Sequence, residues 1–173
     1  MSEVSGRAFS FFVVAERNGA CQVDRLLEGL QVTRQELERP GARVPWDLWV
    51  QITDRFAEAC GSDEALAATC KFALNEGFAG SLGRIAGAFV DPRLFYRVAI
   101  LWVAQGLYRS VRFTVTEPGP GSVQIDATLL PGFRGSRAWF LLFAHGVPLS
   151  PSFLGLPPAE QATGIAALDF LAA

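Results

Sequence analysis

His145 is the only histidine among 173 residues and the first candidate for chemistry. It lies near the end of the apolar run WFLLFAHG, residues 139–146. An imidazole can act as a general base if an orienting partner is within hydrogen-bond reach, or it can ligate haem iron. The nearest acids in sequence, Asp126 and Glu160, stand in no recognisable catalytic spacing. We therefore favour a histidine that ends a buried helix and complements its dipole, with haem ligation as the functional alternative.

The other reactive residue types carry no catalytic signature. Cys21, Cys60 and Cys70 are odd in number and widely spaced, and a single histidine could not complete a zinc site with them. We expect reduced, mostly buried thiols. The sequence has no GxSxG elbow, and GSLGRIAG at 80–87 lacks the GK[ST] ending of a phosphate loop. These observations predict a protein that is not an enzyme and holds no metal, with a small uncharacterised enzyme left as an alternative.

Composition predicts one domain over residues 1–173. Half of the residues are apolar and 18% are charged, which suits a packed core. Fifteen basic and seventeen acidic residues give a net charge of −2, so we expect no direct nucleic acid contact and no membrane binding. The run VAILWVA at 98–104 is too short to span a bilayer, and no signal peptide is recognisable. We predict a cytoplasmic module, and the apolar ending GIAALDFLAA suggests that it was excised from a longer signalling protein.

The first 106 residues follow helical patterns. Thr33 and Glu36 match a capping box, while Gly19 and Gly61 are placed to end helices. The helix that starts at Asp91 and Pro92 is apolar over a wide face and is predicted to be central. Helices are predicted over about 5–19, 23–30, 33–39, 45–60, 62–77, 81–89 and 91–106.

The pattern changes to strands after residue 108. RSVRFTVT and SVQIDATLL alternate apolar and polar residues on either side of the turn EPGPG, which predicts a hairpin over about 110–130. A helix over about 136–145, a proline-rich loop at 147–158 and a C-terminal strand or helix follow. The order predicts an α+β fold, with N-terminal helices packed on a small antiparallel sheet.

Aromatic residues outnumber every other candidate for a site. At helical or strand spacing they are typical of a core, but the alternative is an apolar ligand pocket between the helices that start at Trp46 and Asp91 and the hairpin. Four polar side chains, Arg43, Tyr96, Arg97 and Arg134, are candidates to orient a ligand there. The predicted pocket residues are Trp46, Trp49, Phe95, Trp102, Phe113, Trp139 and His145.

Four segments together resemble a known class of signalling proteins: VSGRAFSFF, RLLEGLQVTRQELERPGARVPWDLW, GSLGRIAGAFVDPRLFYRVAILWV and FLGLPPAEQA. They resemble the N-terminal sensory or input region of bacterial sensor histidine kinases. The middle part is similar to the N-terminal effector domain of AraC-type transcription regulators. The order of helices before a small sheet is also similar to haem–nitric-oxide-binding folds and their vinyl-reductase-like relatives.

This resemblance implies a sensory domain of a two-component or transcription-regulating protein. Such a domain would bind a small apolar molecule or a protein partner, would signal to a downstream output domain in the same chain, and could form a homodimer. A haem- or tetrapyrrole-binding gas or redox sensor is the alternative. The chain departs from the haem branch, because no histidine precedes the hairpin and YRS at 108–110 is not its Tyr-x-Ser-x-Arg motif.

Overall fold

A computed structural model of the chain describes residues 3–73, 92–154 and 157–160. Its order of elements confirms the α+β fold class. The predicted helix at 81–89 and the C-terminal strand or helix lie outside the described residues.

The N-terminal half is mainly helical. A 3₁₀ turn, Gly6–Phe9, leads into α1 (Ser10–Arg17), and α2 (Val23–Leu27), α3 (Arg34–Glu38), α4 (Trp46–Cys60) and α5 (Asp63–Ala73) follow. The capping box at Thr33 and Glu36 forms as predicted. Gly19 and Gly61 take left-handed conformations with φ of 77° and 79°, which explains why each stands just beyond the end of a helix.

Two short strands that the sequence pattern did not predict hold the N-terminal segment in place. β1 (Val4–Ser5) pairs antiparallel with β2 (Arg43–Val44), and Val4 also bridges to Tyr108. Because these strands have two residues each, they carry no alternating pattern that could be recognised. Through them the start of the chain contacts both the segment before α4 and the segment before the hairpin.

The predicted helix at 91–106 has three parts in the structure. They are α6 (Pro92–Val98), a π-helical segment (Ala99–Ala104) and α7 (Gln105–Leu107). Phe95 and Ile100 are buried, but Leu94, Leu101 and Trp102 are exposed. Among the described residues this helix is therefore covered on one side, whereas the sequence predicted a central position.

The hairpin forms at the predicted place. β3 (Val111–Thr116) pairs antiparallel with β4 (Gln124–Leu129), with Val111 opposite Leu129. Helix α8 (Arg137–Gly146) then packs against α4 and α5, and the proline-rich segment forms a 3₁₀ helix, Val147–Leu154. The core lies between these layers and includes Phe9, Phe12, Trp46, Phe56 and Trp139.

No helix within the described ranges has the length and hydrophobicity needed to cross a bilayer.

Candidate functional site

An apolar cavity of about 170 Å³ lies at the junction of the helical layers and the segment before the hairpin. Its walls come from α1, α4, α5, α6, the π-helical segment, α8 and the last 3₁₀ helix. A cavity of about 150 Å³ lined by apolar side chains is known to accept one benzene molecule. The space is therefore suited to a small apolar molecule of about one ring.

Aromatic rings form one continuous wall of this cavity. Phe12 lies 5.3 Å from Trp49, Trp49 lies 6.0 Å from Tyr108, and Tyr108 lies 5.1 Å from Trp139, all between ring centroids. Trp139 in turn stacks on Phe143. Each ring is thus braced by its neighbours at spacings typical of favourable aromatic pairs, so the wall is preorganised rather than collapsible.

The position of Trp139 depends on the start of α8. Ser136 caps this helix by accepting a hydrogen bond from the Trp139 backbone N–H at 3.1 Å. The Ser136 hydroxyl itself donates to Asp54 of α4 at 3.0 Å, and Arg134 also donates to Asp54. A polar contact between α4 and α8 therefore fixes the start of α8, and with it the position of the Trp139 ring in the wall.

The opposite wall is the π-helical segment. Four of its six residues line the cavity: Ala99, Ile100, Val103 and Ala104. Two of these are alanines, which leave space that longer side chains would fill. Segments with π geometry are rare and are found frequently at functional sites. The sequence predicted neither the space beside the two alanines nor the π geometry. The π geometry escapes prediction because a π segment has nearly the same apolar spacing as an α-helix.

Three polar side chains in the lining donate hydrogen bonds to backbone carbonyls, whereas the buried Nε1–H of Trp49 has no partner among the described residues. Thr53 donates its hydroxyl to the Trp49 carbonyl at 2.8 Å, and Ser150 donates to the Val147 carbonyl at 2.6 Å. The Cys70 thiol contacts the Leu142 carbonyl at 3.5 Å. Because these donors are already engaged by backbone carbonyls, what these three side chains can still offer a ligand is acceptor capacity.

Two titratable groups of the lining stay protonated at neutral pH. Burial raises the pKa of the Cys70 thiol to about 12. Burial also raises the pKa of Tyr108 to about 12, although a hydrogen bond with Trp139 acts in the opposite direction. None of the described lining residues is an Asp, Glu, Lys, Arg or His. A charged ligand would therefore lose its hydration without finding a counter-ion, and a thiolate nucleophile is disfavoured.

Three of the seven predicted pocket residues, Trp49, Phe95 and Trp139, line the cavity. Two more lie directly behind the wall. The ring of Trp46 packs edge-on against Trp139 at 5.6 Å, and Phe113 lies 5.2 Å from Phe143. These two rings support the wall without being among the lining residues.

The remaining two predicted residues lie elsewhere. Trp102 projects from the π-helical segment with 79% of its surface exposed. His145 lies in the last turn of α8, as the sequence predicted, and is not among the lining residues.

The polar side chains suggested by the sequence make other contacts. Arg43 donates to the Glu3 and Gly106 carbonyls, Arg134 pairs with Asp54, and Arg97 lies 3.3 Å from Glu117. The Tyr96 hydroxyl donates to the Val147 carbonyl at 3.3 Å. All four therefore connect elements around the cavity rather than line it.

The described residues do not fit haem. A space comparable to one benzene ring is too small for a macrocycle of four pyrroles. The only histidine of the chain lies outside the lining. Within the described part of the chain, no group of three or more His, Cys, Asp or Glu residues is placed to hold a metal ion.

Comparison with protein-family models, with curated proteins and with solved structures returned no match for this chain.

Proposed function

We propose that this chain is a non-enzymatic sensory domain that binds a small, neutral, mainly apolar molecule of about one ring. The observation that carries the proposal is the cavity of about 170 Å³ between the aromatic wall and the π-helical segment. Apolar sites with a few polar groups are typical of small-molecule binding. The neutral lining supports an uncharged ligand.

The π-helical segment is the proposed route from ligand to output. One side of it, including Ala99 and Val103, lines the cavity, while Trp102 on the same segment is exposed to solvent. A ligand that stabilises either the π or the α hydrogen-bonding pattern of Ala99–Ala104 would rotate the exposed side of this segment, which carries Trp102, relative to α6. The change would be available to a downstream output domain, as expected for a cytoplasmic input domain of a sensor histidine kinase or a transcription regulator.

The binding step can be tested with indole and benzene as probes. Titration calorimetry and thermal unfolding should both detect binding, since a ligand at 100 times its dissociation constant adds about 2.7 kcal/mol to the free energy of unfolding. The Ala99→Leu variant should fold but lose most of this response, because leucine would occupy the space. Ala68→Leu is the matched control, since Ala68 lies on the exposed side of α5.

The charged analogue benzoate supplies a second comparison. It has nearly the same ring as benzene but should not stabilise the protein, because the described lining holds no cation. If neither neutral probe raises the melting temperature, or if Ala99→Leu responds like the wild type, the cavity is not a binding site and the proposal is wrong.

A further inference from the structure

The outer edge of β4, which faces away from β3, points to a protein partner. Leu130 donates its backbone N–H to the Ser110 carbonyl at 2.9 Å, so Ser110 and Leu130 form a hydrogen-bonded pair next to the β3–β4 ladder. Bonded pairs recur at every second residue, so Thr128 and Asp126 turn their backbone groups toward β3. The backbone groups of Ile125, Ala127 and Leu129 therefore face away from β3.

The other edge of the hairpin is already closed by a side chain. Gln105 donates from its amide nitrogen to the Val111 carbonyl at 2.8 Å and accepts from the Phe113 N–H at 3.3 Å. Its amide thus takes the place of a neighbouring strand along β3. No comparable contact to the outward groups of β4 occurs within the described ranges. Exposed strand edges of this kind are sites for pairing with another strand.

The two faces of β4 differ in a way that suits an added strand. Ile125, Ala127 and Leu129 lie on the core side and are only partly buried, whereas Val111 and Phe113 of β3 are buried. Asp126 and Thr128 lie on the exposed side. A further strand beside β4 would cover the apolar side chains that β3 alone leaves accessible.

A second copy of β4 can be placed against this edge with Ala127 at the centre of the pair. In an antiparallel pair centred on Ala127, Ile125 faces Leu129 of the partner subunit, and Asp126 faces Thr128 of the partner subunit. Apolar groups then meet on the core side, and a carboxylate meets a hydroxyl on the exposed side. Centring the pair on Leu129 would set Ala127 opposite the partner subunit's Pro131, which has no N–H to donate.

We propose that two copies of this chain pair antiparallel along their β4 edges about a two-fold axis at Ala127. The two hairpins then form one four-stranded sheet. This inference does not depend on the cavity or on its ligand. It assigns a surface to the homodimer that the sequence resemblance implied.

Disulfide trapping of the full chain tests the register. Residues of a non-hydrogen-bonded antiparallel pair lie about 4.5 Å apart between Cα atoms, within the range of disulfides. A mixture of Asp126→Cys and Thr128→Cys chains should therefore form a cross-linked dimer under mild oxidation. Each variant alone should cross-link far less, because in this register neither residue faces its own copy. The wild-type chain controls for Cys21, Cys60 and Cys70.

Sedimentation equilibrium over a range of protein concentrations tests the dimer itself. Thr128→Asp should weaken dimerisation about tenfold, because it sets an aspartate against Asp126 of the partner subunit at two symmetric positions. Within its own hairpin the new carboxylate faces Arg112, so the fold is preserved, and circular dichroism checks this. Thr128→Ser, which keeps the hydroxyl, should dimerise like the wild type.

Three results would overturn the proposal. The first is a wild-type chain that stays monomeric at millimolar concentration, which would leave the edge for an extended segment of another protein. The second is a dimer that Thr128→Asp does not weaken. The third is a mixture of Asp126→Cys and Thr128→Cys chains that cross-links no better than either alone.

Discussion

The ring of Trp139 stacks on the ring of Phe143 one helical turn later, with centroids 5.4 Å apart and planes only 15° from parallel. Both rings line the cavity, and both lie on α8. The contacts of Trp139 with Trp46, Tyr108 and Phe140 are edge-on, and its contact with Phe113 is tilted by 49°. The stacked pair therefore forms the flat part of the wall, against which a planar ligand would lie.

Phe143→Ala should enlarge the cavity and shift its preference to larger molecules. Removing the ring leaves space beside Trp139, so we expect naphthalene to stabilise the variant but not the wild type, as measured by thermal unfolding. The variant should lose less stability than the roughly 3–5 kcal/mol of a fully buried phenylalanine, because Phe143 is only partly buried.

Phe140→Ala is the matched control for this prediction. Phe140 is also partly buried on α8 and contacts Trp139 edge-on at 4.8 Å, but it is not among the lining residues. Its loss should lower stability without admitting naphthalene. Equal naphthalene binding by both variants would show that the cavity is not bounded by Phe143.

Local signals in the sequence predicted much of this fold. The capping box of Thr33 and Glu36, the glycines after α1 and α4, and the alternation along β3 and β4 each depend on neighbouring residues, and each was correct. The β1–β2 ladder could not be predicted in this way, because it joins residues about 40 positions apart through strands too short to show a pattern.

The cavity was predictable in its chemistry but not in its outline. Aromatic spacing selected Trp49, Phe95 and Trp139, which line it, together with Trp46 and Phe113, which support it. The same reasoning included Trp102, because apolar spacing cannot tell which side of a helix is left uncovered. The small residues Ala99 and Ala104 were overlooked, because a space is defined by what neighbouring elements do not fill.

Gly6→Ala should destabilise the fold. A Cβ at position 6 would collide with the Leu37 carbonyl oxygen and approach the Cβ of Ala42 to 2.9 Å. Overpacking against a rigid backbone typically costs about 1–3 kcal/mol, and urea unfolding should report a loss in this range.

Gly106→Ala is the matched control, because the same substitution there meets no close contact within the described ranges. Gly106 lies in α7, and no described residue packs within 4 Å of the Cβ it would gain. Alanine should therefore leave stability unchanged or raise it by about 0.4–1 kcal/mol. A Gly6→Ala protein as stable as Gly106→Ala would contradict the close approach between the first turn and the segment that follows α3.

Glu3→Ala should also destabilise the protein, through the start of α4. The buried Glu3 carboxylate accepts a hydrogen bond from the Trp46 backbone N–H at 2.9 Å. Alanine would leave this buried donor without its partner, which typically costs about 1–3 kcal/mol. Glu3→Gln keeps an oxygen acceptor in the same place, so urea unfolding should show a smaller loss. A larger loss for glutamine than for alanine would argue against this role.

Asp63 links α5 to α8 and should give the stability of the protein a component that depends on pH. Arg137 donates two hydrogen bonds to its carboxylate, at 2.8 and 2.5 Å. This bonding, helped by the charges of Arg137 and His145, holds the pKa of Asp63 below its usual value of 3.8. A carboxyl group whose pKa is lower in the folded state stabilises the fold at any pH above its unfolded pKa. This contribution is lost as the pH falls through the folded pKa.

Asp63→Asn should therefore be less stable than the wild type at pH 7, and the difference should shrink toward zero as the pH falls below 3.8. Because the pair is exposed, the effect should be small and should decrease with added salt. Glu64→Gln, in the same first turn of α5, is the control and should show a weaker pH dependence. Urea unfolding from pH 2 to pH 7 measures the free energy of unfolding of the wild type, Asp63→Asn and Glu64→Gln. A stability difference for Asp63→Asn that persists unchanged at pH 2 would mean that the side chain acts through packing rather than through its charge.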